Sequence, residues 1–147
     1  MSAAPFESAD LILKLYELRR EATMREARAW FIAFTPDSLN DIVQVLQGPH
    51  NAAFRMVATY WDMAASLVVN GAIDEQMFND ANAEHVAVFS KIEPFLAEYR
   101  QAMEAPRYLK NLETLVMRIP NAQDRLTATR ERLRKVAAAR AAAAAKA

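Results

Sequence analysis

The sequence predicts an all-α protein, an irregular bundle of about five or six helices around one central hydrophobic helix. Only two glycines occur in 147 residues, which leaves little room for β-hairpins, and alanine-rich segments favour helix. The segment from Asn51 to Gly71 is almost entirely apolar, as expected of a helix with neighbours on several sides. Its polar residues recur at helical spacing and form one narrow stripe: Arg55, Thr59, Asp62 and Ser66.

Two helices are predicted before this central one. The first begins at a cap formed by Ser8 or Asp10 and continues to about Phe34. Its apolar side contains four residues at helical spacing: Leu11, Leu15, Leu18 and Ala22. The second begins at Thr35-Pro36-Asp37, which supplies an N-cap hydroxyl, a proline at the first helical position and an acid in the first turn. Gly48-Pro49 ends it.

Short signals divide the rest of the chain. Asn70-Gly71 closes the central helix, since the residue after a helix often adopts a left-handed conformation that favours glycine. Asp74 is expected to cap the next helix, and Pro94 to break it, because proline lacks the amide that a helix interior uses. Pro106 is expected to begin another short helix, and Pro120-Asn121 marks the last boundary.

The domain organisation follows from this last boundary. Residues 1–120 are predicted to form the helical bundle, and residues 121–147 a basic, alanine-rich helix that projects from it and frays, because it has few large apolar residues. From Arg118 onward there are eight basic and two acidic residues, a net charge of +6, so the remainder carries −6. This separation of charge predicts either self-association or an anionic partner for the tail.

The sequence also bears on location. It contains no cysteine, which fits a reducing compartment. The N-terminal segment lacks the basic region of a signal peptide, and no segment reaches the ~18 uncharged apolar residues of a membrane span. A cytoplasmic protein without a transmembrane segment is therefore expected.

Several short motifs resemble a family of small, uncharacterised, all-helical bacterial domains. The motifs lie between about Asn51 and Leu115: Tyr60-Trp61-Asp62, Asn70-Gly71-Ala72-Ile73-Asp74, Glu93-Pro94-Phe95, Tyr99-Arg100 and Pro106. The resemblance implies a helical fold and no assigned activity. Many members carry a membrane anchor ahead of the domain, and this chain departs from that arrangement.

The resemblance suggests one structural hypothesis, an ion pair between Asp62 and Arg100. Asp62 lies on the polar stripe of the central helix, and Arg100 lies beside the apolar residues Leu96 and Met103. If the pair is partly buried and fixes the packing of two helices, removing one partner costs about 3–5 kcal/mol.

No catalytic, metal or cofactor site is predicted, so the chain is expected not to be an enzyme. The residues three before His85 and His50 are Asn82 and Gln47, so the Glu-x-x-His spacing of di-iron bundles is absent. The histidines are expected to be solvated or hydrogen-bonded. The aromatic and methionine residues of the central helix, such as Trp61, are expected to be core instead of a ligand groove.

Three functions remain as hypotheses. The first is a non-catalytic interaction domain that binds a protein partner or itself. The second is an accessory protein whose tail binds a polyanion such as nucleic acid, or an apolar surface. The basic residues that would contact an anion are Arg130, Arg132, Arg134 and Lys135. The third is a small-molecule binder or enzyme that uses the polar stripe of Arg55, Thr59 and Asp62.

Overall fold

A computed structural model describes residues 3–147, and across these residues it is helical and contains no strand. The predicted all-α class is confirmed. The helices are α1 (Pro5–Arg19), α2 (Ala22–Ala33), α3 (Leu39–Leu46), α4 (Asn51–Val69), α5 (Glu75–Ala81), α6 (Glu84–Ile92), α7 (Leu96–Ala102), α8 (Lys110–Met117) and α9 (Ala122–Ala145), with a 3₁₀ turn at Glu93–Phe95.

The described residues form more helices than predicted, because two of the predicted helices are interrupted. The first breaks after Arg20, where the Glu21 carboxylate accepts hydrogen bonds from the Thr23 and Met24 amides, each 3.0 Å long. This carboxylate therefore caps a new helix. The second break lies at Asn82, whose backbone is extended and whose side chain donates to the carbonyl of Phe78 at 3.1 Å.

The predicted start of the first helix was wrong. The helix begins at Pro5, with Ala4 as N-cap and no side-chain cap. Ser8 lies inside the helix and is buried, and its hydroxyl accepts a hydrogen bond from the Asp74 amide at 2.9 Å. A long-range contact, not a local cap, therefore accounts for this serine.

Two other helix starts also differ from prediction. The N-cap of α3 is Ser38 and not Thr35; its hydroxyl accepts from the Asp41 amide at 3.2 Å. The helix expected from Pro106 begins at Lys110, because Leu109 adopts a left-handed conformation (φ 54°) that turns the chain first.

The boundaries that depend on local signals are confirmed. After α4, Gly71 has φ 84°, and the next amide donates to the carbonyl of Leu67 at 2.8 Å. The Asp74 carboxylate caps α5 by accepting from the Met77 amide at 2.8 Å. Pro94 lies in the 3₁₀ turn that separates α6 from α7.

The core lies around α4, which packs against α2, α3, α5, α6 and α8. Its buried side chains are Phe54, Val57, Ala58, Trp61, Ala64, Ala65 and Val68. The three alanines allow neighbouring helices to approach closely, while the aromatic rings fill the space between them. Trp61 is buried in the core, and burying a large side chain of this kind stabilises the fold by about 3 kcal/mol.

The C-terminal helix only partly fits its prediction. The first half of α9 packs against α6 and also contacts α2 and α8, with Ala122, Leu126 and Thr129 buried. The separate tail expected from residue 121 was therefore wrong for this half, because a few apolar side chains at helical spacing suffice to pack it. Residues 138–147 are exposed. Within residues 3–147, no helix combines the length and apolar character needed to cross a bilayer.

Candidate interaction surface

The residues of the predicted polar stripe on α4 do not come together in one binding site. Arg55 and Thr59 are exposed, and the Thr59 hydroxyl donates to the Arg55 carbonyl of its own helix at 2.6 Å. Asp62 accepts hydrogen bonds from the Leu112 amide at 2.9 Å and from the Asn111 side chain at 3.3 Å. Since α8 has no side-chain cap of its own, Asp62 caps it from a neighbouring helix.

The predicted ion pair between Asp62 and Arg100 was wrong. Arg100 pairs with Glu113, with Nη2 and Oε1 3.3 Å apart, and donates from Nη2 to the carbonyl of Tyr108 at 2.7 Å. The Asp62 carboxylate is instead used by the amides at the start of α8. Both residues help position α8, but through different contacts.

The four basic residues predicted to contact an anion fall into two groups. Arg130 pairs with Glu93 at 3.2 Å, and Arg134 pairs with Asp37 at 2.8 Å, so both hold α9 on the bundle. Arg132 and Lys135 are exposed. Among the described residues, neither has an ion-pair partner. Only half of the predicted set therefore remains available to an external anion.

A buried lysine joins α6 to the end of α2, and sequence analysis missed it. Lys91 is 5% exposed, and its ammonium donates to the carbonyls of Ile32, at 2.9 Å, and Phe34. A cation at a helix C-terminus is favourable, because the last carbonyls carry partial negative charge. Burial, aided by the positive charge of Arg134, lowers the pKa of Lys91 to about 8.

A second polar cluster links α2, α4 and α6. Arg28 forms a forked pair with Glu84, with its Nε and Nη2 donating to the carboxylate at 2.9 and 2.7 Å. The Trp61 indole donates to the same carboxylate at 3.1 Å. The hydrogen bonds from Arg28 to Glu84 raise the pKa of this guanidinium. The cluster provides a hydrogen-bond acceptor for the indole nitrogen of Trp61, the largest side chain in the core. Arg28 and Glu84 are 56 residues apart in the sequence, so sequence analysis did not connect them.

His85 lies in the core beside this cluster. It is 1% exposed, and its Nε2 lies 3.1 Å from the Asn79 side-chain oxygen. Its Nδ1 is buried and has no partner among the described residues. Burial, followed by the positive charge of Arg125, lowers the pKa of His85 to about 4, so the ring is neutral near neutral pH. Within residues 3–147, no three His, Cys, Asp or Glu side chains are grouped to hold a metal ion.

The most distinctive surface lies on α1, and sequence analysis did not identify it. Four residues share one line along this helix, named here the α1 stripe: Phe6, Ala9, Leu13 and Tyr16. Phe6 is 85% exposed, Leu13 64% and Tyr16 47%. The opposite side of the helix is the one that packs, with Leu15 buried. Apolar residues on two opposite faces were the signal that could have revealed the stripe.

One residue was assigned to the wrong side of this helix. Leu18 was predicted to belong to the packed face, but it is 59% exposed. The helix is held to the body by the Ser8 contact described above and by the Tyr60 hydroxyl, which donates to the Leu15 carbonyl. These contacts fix which face of α1 is covered.

The size and surroundings of the α1 stripe favour a protein partner. With about 200 Å² for each aromatic side chain, Phe6 and Tyr16 alone leave roughly 260 Å² in solvent. Contiguous apolar patches of a few hundred Å² are often functional. Acidic and basic side chains are both present beside the stripe, with Asp10 paired to Lys14 at 2.9 Å and Glu17 to Arg20 at 3.1 Å. The helix therefore lacks the excess of basic residues that is typical of helices bound to an anionic membrane surface.

The fold and this surface define a class, a small all-α domain with an uncovered apolar face on α1. The chain belongs to the family DUF4760, described as a domain of unknown function, whose model matches residues 4–119. The match confirms the resemblance to an uncharacterised family. It takes in α1 to α8 and ends before α9. No curated protein and no solved structure matches the chain.

Proposed function

We propose that this domain is a non-catalytic interaction module that binds a protein through the α1 stripe, within the cytoplasm. The observation that carries the proposal is the line of exposed apolar side chains formed by Phe6, Leu13 and Tyr16. Phe6 alone exposes about 170 Å² of apolar surface, if a phenylalanine side chain has about 200 Å². Covering this side chain contributes about 2–3 kcal/mol before the cost of association is subtracted.

The shape of the stripe indicates the kind of partner. Its residues recur at intervals of three and four along a helix of 15 residues, so an apolar groove or a second amphipathic helix matches it. An interface of this length is smaller than the standard ~800 Å² per partner. Binding is therefore expected in the micromolar range, as in transient complexes.

Site-specific photocrosslinking tests this proposal. A photoreactive phenylalanine analogue is placed at Leu13 in the full-length protein and irradiated in the expressing cell, with Thr59 as an exposed control position on α4. We expect adducts of defined mass at position 13, and we expect Phe6→Ser to abolish them. Equal adducts at both positions, or none at position 13, would contradict the proposal.

A second candidate, binding of a polyanion, is supported by the exposure of Arg132 and Lys135 on α9. Fluorescence anisotropy with a single-stranded oligonucleotide tests it across a salt series. If both residues contact phosphates, Ala substitution of the pair lowers the slope of log K against log salt by about 1.4. The control is Arg107→Ala, which removes an exposed arginine elsewhere. Identical slopes for all three proteins would exclude this candidate.

A further inference from the structure

A second open apolar surface lies between the end of α2 and the C-terminal half of α9. It is a groove of about 340 Å³, named here the α2–α9 groove, and its lining residues are Ile32, Ala33, Leu133, Val136, Ala137, Arg140 and Ala141. The groove is mainly apolar, and Val136 is 39% exposed. An apolar cavity of about 150 Å³ already accommodates a benzene ring. The groove is therefore large enough for one aromatic side chain.

An exposed charge of opposite sign lies beside the apolar residues of each open surface. Arg140 lines the groove, and the exposed Lys135 lies five residues earlier on α9. Glu7 is exposed next to Phe6, the most exposed apolar residue of the stripe, and has no ion-pair partner among the described residues. Asp10, one turn further on, already pairs with Lys14 at 2.9 Å. Opposite charges at the edge of an apolar contact fix its orientation and raise the rate of association.

We propose that the α1 stripe of one copy binds the α2–α9 groove of a second copy, with Phe6 in the groove and Glu7 facing Arg140. The inference rests on the proposed function, because it names the partner of the same stripe. Within one chain both surfaces stay open, since Phe6 is 85% and Val136 39% exposed. A second copy supplies the missing half of each contact.

The proposed contact joins two different surfaces and is therefore heterologous. Each copy keeps one free stripe and one free groove after pairing, so assembly continues into chains or closes into a ring. This property separates it from a two-fold contact between two α1 helices, which stops at the dimer.

A mixing experiment with two variants tests the contact. Phe6→Ser removes the stripe and leaves the groove, while Val136→Arg blocks the groove and leaves the stripe. By sedimentation velocity from about 1 to several hundred μM, the range expected for a small interface, we expect wild type to form growing oligomers and each variant to stay monomeric. A 1:1 mixture should form dimers and nothing larger, because only one productive contact remains. Circular dichroism is used to check that each variant is folded.

Charge reversal gives an independent test in the same assay. Glu7→Arg and Arg140→Glu should each weaken self-association by about two- to fivefold, the range for an exposed ion pair. The two changes combined on one chain should restore it. Arg107→Glu is the control, since it reverses an exposed charge outside both surfaces.

The outcomes separate this inference from the proposed function. A mixture of the two variants that stays monomeric overturns the heterologous contact. The same holds if Val136→Arg assembles like wild type, which would place the self-contact elsewhere. If wild type is monomeric throughout while crosslinks from position 13 to another protein persist, the inference fails and the proposed function stands. If those crosslinks are also absent, both fail.

Discussion

The buried histidine makes the stability of this protein sensitive to mild acid. The pKa of His85 is lowered to about 4, from 6.5, by burial among Trp61 and Phe78 and by the positive charge of Arg125. Glu84 acts in the opposite direction, but less strongly. Between these two pKa values the unfolded chain binds a proton that the folded chain does not. The free energy of unfolding therefore falls as pH falls through this range.

The size of the effect follows from the same shift. Between about pH 7 and pH 5, protonation of the unfolded chain removes about 2 kcal/mol, and by about pH 4 the loss approaches 3 kcal/mol. A domain of this size has a total stability of about 5–15 kcal/mol. With a urea m-value of about 2 kcal/mol/M, the midpoint should shift by about 1 M between the two higher pH values.

Urea unfolding of three proteins measures this effect. Wild type, His85→Gln and His50→Gln are compared between about pH 7 and pH 5, where most ordinary carboxylates stay ionised. His50 is the matched control, because it is exposed and stacks on Trp30 with the ring centroids 4.8 Å apart. We expect the pH dependence to disappear in the His85 variant and to persist in the control.

An NMR titration of the two imidazole rings provides a readout that does not depend on the variant. In the folded protein we expect the His85 ring to stay neutral down to about pH 5. A His85 ring that titrates near its ordinary value of 6.5 would refute the reasoning. So would a His85 variant whose midpoint shifts with pH as much as that of wild type.

Three further perturbations test the remaining polar contacts. Asp62→Ala should lower the free energy of unfolding by about 1–3 kcal/mol, because it leaves the Leu112 amide without its acceptor. Thermal unfolding of wild type, Asp62→Ala and the control Asp62→Asn measures this loss. Equal melting temperatures for the three proteins would contradict the prediction. Glu84→Ala should lower the free energy of unfolding by about 3 kcal/mol, because Arg28 loses its only carboxylate partner among the described residues. A loss below about 1 kcal/mol is the value expected of a solvent-exposed ion pair and would contradict this prediction. The pKa of Lys91 is lowered to about 8, so between about pH 8 and 9.5 the unfolded chain binds more protons than the folded chain. The free energy of unfolding should therefore rise by about 1.5 kcal/mol over this range. In Lys91→Met the free energy of unfolding should not change over the same range.

Local signals were sufficient to predict part of the fold. Gly71 and Asp74 act within a few residues of their own positions, so the end of α4 and the cap of α5 were predictable. The serine and threonine signals failed because several polar residues compete near each boundary. Ser8 and Thr35 were reasonable caps, but a tertiary contact uses the first, and Ser38 caps the helix expected at the second.

The candidate surface and the polar clusters depend on helix packing and were not predictable. Asp62 lies on α4 and Arg100 on α7, and the amide or carboxylate that each one meets depends on the register between helices. The exposure of Phe6 depends on which of two apolar faces of α1 packs against the body. Periodicity gives both faces equal weight, and only the three-dimensional arrangement of the other helices decides between them.

The burial of Lys91 has a consequence for covalent labelling. Amine-reactive reagents need a neutral, accessible amine, and Lys91 is 5% exposed, with its nitrogen bound to two carbonyls. The other lysines, Lys14, Lys110, Lys135 and Lys146, are exposed and will react at once. The acylation rate of Lys91 relative to theirs therefore reports how often α6 separates from the end of α2. The four exposed lysines serve as internal standards for this measurement of helix opening.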